Sequence, residues 1–447
     1  MFTMKQKGYF HSVKLDKDKC RGCINCIKHC PTEAIRVRNG RAHIIKERCI
    51  DCGQCIRVCP YSAKSASTDS LKRLSDFKYN IALVPPSFFG QFTKTYSYDH
   101  ILAAIKAIGF DMTFEVSRAA DIVTDATKQY IKENPKPTPY IGTACPACVR
   151  LIQIRFPSLL DDLIPMRAPV DISAEMAIEE ALAKTHMKRE EIGVFFITPC
   201  AAKVTAIISP IGPAVDIDGA FAARDIFKKV VSIISTVKPK EVLSKTSGEG
   251  LGWGITGGES DALGDVKMIA VDGIDNVKSV LSQLEDDRIK GVTFLEINAC
   301  TGGCVGGPLN VENTFVAKSK LQYKKIDLKK ENANPILPGY DINDIILHDK
   351  INSVDVMQLD DDLTIALQKL ESINSIQKNL PGLDCGSCGA PSCRALAEDI
   401  VRGFGKESDC MFRLKERLTV LAKEMVELEE HMPPPFRRDD MRKEKDK

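Results

Sequence analysis

The chain has 447 residues, 44% of them hydrophobic, and sets 62 basic side chains against 60 acidic ones. That length supports about two to four domains with substantial cores, and the balanced charge gives no reason to expect a nucleic-acid partner. The first residues lack an apolar signal core, and the longest apolar run, residues 204–215, is interrupted by two prolines and too short to span a bilayer, so a cytoplasmic protein with no membrane partner is expected.

Cysteine is the abnormal component, with 17 residues at tight spacings. Without an export signal a disulfide scaffold is the weaker reading, and metal or redox use the stronger one. The cysteines fall into groups of eight, five and four. They suggest domains over residues 1–68, 69–375 and 376–415, followed by a helix and a disordered charged tail over 416–447.

The first group repeats one pattern, Cys20-x2-Cys23-x2-Cys26-x3-Cys30-Pro31 and Cys49-x2-Cys52-x2-Cys55-x3-Cys59-Pro60. This is the two-cluster ferredoxin signature, in which the last cysteine of each run serves the other cluster. One [4Fe-4S] cluster is assigned to Cys20, Cys23, Cys26 and Cys59, the other to Cys49, Cys52, Cys55 and Cys30. Residues 64–78 read as a polar linker.

Short apolar strands are then expected at 81–84, 112–116, 139–142, 192–197, 267–271 and 292–296. Helical patterns lie between them, near 101–108, 119–132, 174–184, 220–233 and 274–284. This alternation predicts an α/β domain with parallel sheets flanked by helices, after a small α+β ferredoxin domain. In such sheets ligands collect beyond the carboxyl ends of the strands. Three strand-end loops there carry cysteine: Thr143-Ala144-Cys145-Pro146-Ala147-Cys148, Thr198-Pro199-Cys200-Ala201-Ala202-Lys203, and Glu296-Ile297-Asn298-Ala299-Cys300-Thr301-Gly302-Gly303-Cys304-Val305-Gly306-Gly307. Thiolates at i and i+4 in a glycine-rich loop can converge on one inorganic centre. Farther on, Cys385-x2-Cys388-x4-Cys393-x16-Cys410 suits a third independent [4Fe-4S] cluster, with zinc as the competing metal. Residues 412–430 form a helical pattern with leucines and a methionine at near-heptad spacing.

The three central loops, in this order behind a two-cluster ferredoxin segment, resemble the signature motifs of [FeFe] hydrogenases. The C-terminal cysteine segment resembles the small iron–sulfur domain of Rnf-type electron-transfer subunits. The family resemblance implies an H-cluster, a [4Fe-4S] cubane joined through one thiolate to a diiron unit bearing CO, CN⁻ and azadithiolate. Carried over by motif, Cys145, Cys200, Cys300 and Cys304 would hold the cubane, with Cys304 bridging to the diiron unit. Lys203 would donate to one cyanide and Ser87, after Pro86, would contact the other. Trp253 stands where the family usually has phenylalanine near the diiron unit. Cys148 has no place in that scheme and reads as a buried core thiol.

The chain also departs from the pattern. Ala144 occupies the position of the cysteine that passes protons in active members. Thr198 and Asn298 replace methionines beside the diiron unit. The relay glutamates align with Asp125 and Lys128, and the relay serine with Ile164. The resemblance thus implies a slow hydrogenase exchanging electrons with H2 and protons, possessing hydrogen-sensing character and served by a ferredoxin or other electron carrier and a signalling partner. The competing reading is a non-catalytic iron–sulfur assembly or electron-transfer protein that keeps the cysteine loops.

Overall fold

The computed structural model describes residues 10–329 and 341–431; the charged tail expected from residue 433 lies outside them. The chain divides into two compact units. The first holds residues 1–21, 29–34 and 44–357, the second residues 22–28, 35–43 and 358–447.

In the first unit the amino-terminal segment is closed by strand β1 (Val13–Leu15). The second unit contains most of the hairpin β2 (Ile35–Arg38) and β3 (Arg41–Ile44). The segment expected to be a linker is instead structured. Strand β4 (Lys64–Ala66) pairs antiparallel with β1, and a 3-10 turn covers Leu71–Asp76. Lys-Ser-Ala is too short to carry a legible strand period, and pairing with β1 decides its conformation.

The centre of the first unit is a parallel sheet in the order β6-β5-β8-β9. Its strands are β5 (Tyr79–Val84), β6 (Met112–Glu115), β8 (Ile192–Thr198) and β9 (Gly219–Ala222). Between β6 and β8 in sequence lies β7 (Tyr140–Ile141), which joins a second parallel sheet, β10-β11-β7, with β10 (Met268–Asp272) and β11 (Phe294–Asn298). Strand β5 is continuously apolar from Ile81 to Val84 because both its faces are covered. Ile81 and Leu83 meet Phe114, Val194 and Phe196 under the helices Val116–Glu133 and Pro169–Thr185. Ala82 and Val84 face Phe195, Ile197 and the helices Tyr98–Ala107 and Ala223–Ile233. The expected helix at 220–233 therefore starts later, and its first residues are strand β9. Gly-Ala-Phe-Ala has weak strand preference, and alignment along β8 overrides it. In the second sheet, Ile141, Leu295 and Ile297 pack on Leu151, Ile152, Val277 and Leu281 of flanking helices. Among the described residues no helix is long and apolar enough to cross a membrane.

The second unit packs Ile373, Leu380, Ala390, Leu396 and Cys410 into a small core. The carbonyl of Gly389 accepts from the Val37 N–H at 2.8 Å. Gly389 must be glycine, since φ is +81° and a Cβ would lie 1.9 Å from the Val37 carbonyl oxygen. Beside it Asp399 accepts from Arg36 Nε at 2.7 Å and from Arg38 at 2.9 Å. Arg36 and Asp399 side chains are only 7% and 6% exposed. Removing one member of such a pair leaves a buried charge uncompensated. Asp399→Ala is expected to cost about 3–5 kcal/mol in denaturant titration; a loss below about 1 kcal/mol, the ceiling for exposed pairs, would show that the pair is solvated.

Candidate metal centre

Four loops leave the carboxyl ends of parallel strands in the first unit and carry the candidate groups. After β5 the chain turns through Pro85 into the short helix Pro86–Phe89, whose first turn holds Ser87. After β7 it reaches Cys145 at the N-cap of the helix Pro146–Arg155. After β8, Cys200 caps the helix Ala201–Ile208, which carries Lys203 in its first turn. After β11, Cys300 and Cys304 flank the glycines of the third loop.

The third loop is held by close backbone approach. Gly303 has φ +87°, and a Cβ there would stand 2.6 Å from the Thr256 nitrogen. A Cβ on Gly307 would come within 2.3 Å of the Pro199 carbonyl, next to Cys200. The turn of Trp253 and Gly254 lies against Pro86 and Ser87 in the same way.

All four cysteines are half-buried, and each feels others of the set. Burial raises Cys200, with Cys300 and Cys304 adding and Lys203 opposing. Burial likewise pushes Cys304 up to about 12, against Lys203 and with Cys145, Cys300 and Glu296 adding. Cys300 is raised by burial and opposed by Arg57. Cys145 goes the other way, down to about 6, chiefly because the Cys148 thiol hydrogen-bonds to its sulfur. None of these cysteines is in a disulfide.

The groups around them are few. Lys203 Nζ donates to the Ala144 carbonyl at 3.1 Å. The Ser87 side chain is fully buried, and its hydroxyl has no hydrogen-bond partner among the described residues. A buried hydroxyl without a partner costs free energy unless a ligand satisfies it. Four convergent thiols, one ammonium and one unsatisfied hydroxyl fit a thiolate-held cluster with a polar appendage. Thr198 and Asn298 are already engaged: the Thr198 hydroxyl donates to the Cys200 carbonyl at 2.8 Å, and the Asn298 amide donates to Glu296 at 2.9 Å.

The residues aligned with a proton path are dispersed. Asp125 and Lys128 pair with each other at 3.7 Å and are each about half exposed. Ile164 is 1% exposed in the core, and Ala144 has no titratable atom. The Trp253 indole donates to Thr124 at 3.0 Å and packs against the core beneath β5. A carboxyl pair not foreseen from the sequence lies close by. Glu296 accepts from the N–H groups of Gly257 and Ser260, each at 2.9 Å. Glu259 is buried where it faces Glu296, Cys145 and Lys203, and burial followed by repulsion from Glu296 holds it well above the usual carboxylate range. Its one signal in the sequence is an acidic residue directly after the Gly257-Gly258 turn. Asp171 is raised to about 6 by burial, with Lys203 and Arg167 opposing. An apolar cleft lined by Pro146, Val149, Met166 and Leu347 opens beside Thr143 and Asp171.

Among the ferredoxin cysteines, Cys49 and Cys52 each feel Cys30 and Cys55. Cys52 also faces Cys300. Arg57 donates to the Gly306 carbonyl and to the Cys300 sulfur, and a Cβ on Gly53 would strike Pro308 at 2.5 Å. His11, Cys49 and Asp51 bring ligand atoms within 4.8 Å of one another, a grouping the spacing did not reveal. The set Cys20, Cys23, Cys26 and Cys59 is divided between the units, with Cys23 and Cys26 in the second. There, Cys388 feels Cys385 and Cys410 as well as the Arg38 guanidinium, while the Cys393 N–H donates to Asp384 at 2.6 Å.

The model for the C-terminal domain of the iron-only hydrogenase large subunit matches residues 78–265 and 226–308, together more than half of the chain. Residues 12–60 match a 4Fe-4S dicluster domain and residues 380–412 a putative Fe-S cluster domain. The periplasmic [Fe] hydrogenase large subunit of Nitratidesulfovibrio vulgaris is 26% identical over 362 residues, 66% of this chain and 86% of that one. The NADP-reducing hydrogenase subunit HndD of Solidesulfovibrio fructosivorans is 24% identical over 301 residues, 53% of this chain and half of its own length. A solved structure of a variant [FeFe]-hydrogenase HydA1 from Chlamydomonas reinhardtii aligns with a TM-score of 0.49 at 15% identity, covering 64% of this chain and 99% of that one.

Two variants test the site as built. Gly303→Ala forces a side chain into left-handed backbone against Thr256, and is expected to remove about four irons, one cubane's worth, while the other clusters stay. Retention of full iron would show that the loop can shift. Cys148→Ser keeps a donor to the Cys145 sulfur, so iron content should not change; lost iron would make Cys148 a ligand.

Proposed function

Because this chain belongs to the iron-only ([FeFe]) hydrogenase family, we propose that it interconverts H2 with protons and electrons at an H-cluster, slowly, in the service of hydrogen sensing. The observation that carries this reading is the buried, unsatisfied Ser87 hydroxyl, in a domain whose cysteine loops converge around Lys203. A protein holding only cubanes has no need for either group. Cys145, Cys200, Cys300 and Cys304 would hold the cubane, and Lys203 and Ser87 would orient the cyanides by charge-assisted and neutral hydrogen bonds. When bound, the diiron unit supplies the metal chemistry by which H2 is exchanged for two protons and two electrons.

The chain's own residues set the pace. Ala144 can neither give nor take a proton, and Ile164 closes the aligned route with a hydrocarbon. Protons therefore travel by water or by Glu259 and Glu296, whose shared burial keeps one carboxyl protonated near Cys145. Cys300 lies near enough to Cys52 to act on it electrostatically, and that proximity would give electrons a path to the Cys30, Cys49, Cys52 and Cys55 cluster and from there to a ferredoxin-like carrier. The apolar cleft beside Thr143 offers a small gas an entry. A signalling partner would read the resulting oxidation state.

Infrared spectroscopy after maturation should show CO and CN⁻ bands. Their absence would favour the non-catalytic assembly or electron-transfer reading. With bands present, Ala144→Cys should raise dye-linked H2 evolution, by less than the about 10²–10⁴-fold of positioned acid–base catalysis, because Ile164 and Lys128 remain. Wild-type rates matching those of fast family members would defeat the slow, sensory reading. Glu259→Gln should keep the bands and lower turnover further; an unchanged rate would remove the carboxyl pair from the route.

A further inference from the structure

The helix Met411–Glu430 has 20 residues and spans about 30 Å. It leaves Met411, Leu414, Leu418, Leu421, Met425 and Leu428 exposed, between 41% and 70% each. Their spacings alternate three and four without a break. That is the 3.5-residue period of a coiled-coil seam, narrower than the stripe of a helix lying on a globular body. An isolated helix of this length gains little from propensity alone and relies on packing for its stability. A continuous apolar seam left in water is also an association surface.

We propose that this helix pairs antiparallel with the same helix of a second copy of this chain. The charges beside the seam choose both the partner and the direction. With Met411, Leu418 and Met425 at a and the three leucines at d, Arg417 and Glu424 fall at g, and Lys415, Ala422 and Glu429 at e. A parallel pair in register sets Glu424 against Glu429 of the second copy, twice, and gives Arg417 only Ala422. An antiparallel pair stacks Met411 on Leu428, Leu414 on Met425, and Leu418 on Leu421, filling six layers by symmetry. It also sets Arg417 of each copy against Glu424 of the other, so both flanking pairs attract. Neither Arg417 nor Glu424 makes an ion pair among the described residues. The surface is complementary to itself under a two-fold axis, as an isologous interface requires.

The test is sedimentation and light scattering of the full iron-loaded chain over a range of concentrations. The wild type should be a dimer, and Leu418→Glu with Leu421→Glu a monomer with unchanged iron content. Arg417→Glu alone, and Glu424→Arg alone, should each weaken the dimer about tenfold by turning two attractive pairs repulsive, and the double exchange should restore it. A wild type that stays monomeric, or a dimer indifferent to the two leucine changes, would overturn the proposal. So would a tighter dimer with Glu424→Arg alone, which is the behaviour of a parallel pair.

Discussion

The central site depends on laying one stretch of backbone almost against its neighbours. Cys300 and Cys304 reach Cys200 because nothing stands between the third loop and Pro199: a Cβ on Gly307 would come within 2.3 Å of the Pro199 carbonyl. Gly306 meets the Thr301 carbonyl at 2.0 Å on the same test, so the loop also folds tightly on itself. Glycine at such positions costs conformational entropy, of order 0.5–1 kcal/mol each relative to alanine. Metal binding offsets that cost, because ligand convergence and folding of the loop are one process. The strands bring the cysteines to one edge, and the glycines bring them into reach of one another.

Convergence creates an electrostatic problem, and the surrounding groups answer it. Burial pushes Cys200, Cys300 and Cys304 upward as thiols, so holding them as thiolates requires positive charge nearby. Lys203 faces Cys145, Cys200 and Cys304, while Arg57 serves Cys300. Arg57 comes from the ferredoxin segment, so completing the central site depends on that segment being in place. Of the nearby carboxyls Glu259 avoids adding charge, because burial and then Glu296 hold it well above the usual range, whereas Asp171, raised to about 6, remains mostly ionised at neutral pH. In the second unit Lys28 and Arg38 play the corresponding part beside Cys385 and Cys388.

Much of this was legible in the residues. The ferredoxin spacing, the three central loops and the apolar runs at 81–84 and 192–197 carry strong local signals, because ligands need fixed spacings and fully covered strands need continuous apolar sequence; the run expected at 292–296 is a strand two residues later, Phe294–Asn298. What the sequence hid is decided by partners distant along the chain. Gly219–Ala222 becomes a strand because β8 offers it an edge, and Lys64–Ala66 because β1 does. Alignment assigned Trp253 by position, and the tertiary environment gave its indole to Thr124. Glu259 was hidden for the opposite reason: a single acidic residue after a glycine turn normally means a solvated loop, and only the packing of that turn under Gly142 buries it.

The departures around the site share one consequence. Polar residues in place of methionines would ordinarily be expected to hydrogen-bond to the cluster and shift its potential. Here Thr198 spends its hydrogen on the Cys200 carbonyl and Asn298 donates to Glu296, so both act on the loops and the carboxyl pair. Asn298 thereby steadies Glu296, which in turn raises Glu259. The position before Cys145 holds no titratable group, while the turn facing that loop holds one that is buried and reluctant to ionise. Such a carboxyl holds a proton well and releases it slowly, since every transfer must leave charge in a poorly solvated place. On the proposed reading, that arrangement favours a long-lived oxidation or protonation state over rapid flux, and duration is what a partner protein needs in order to read it.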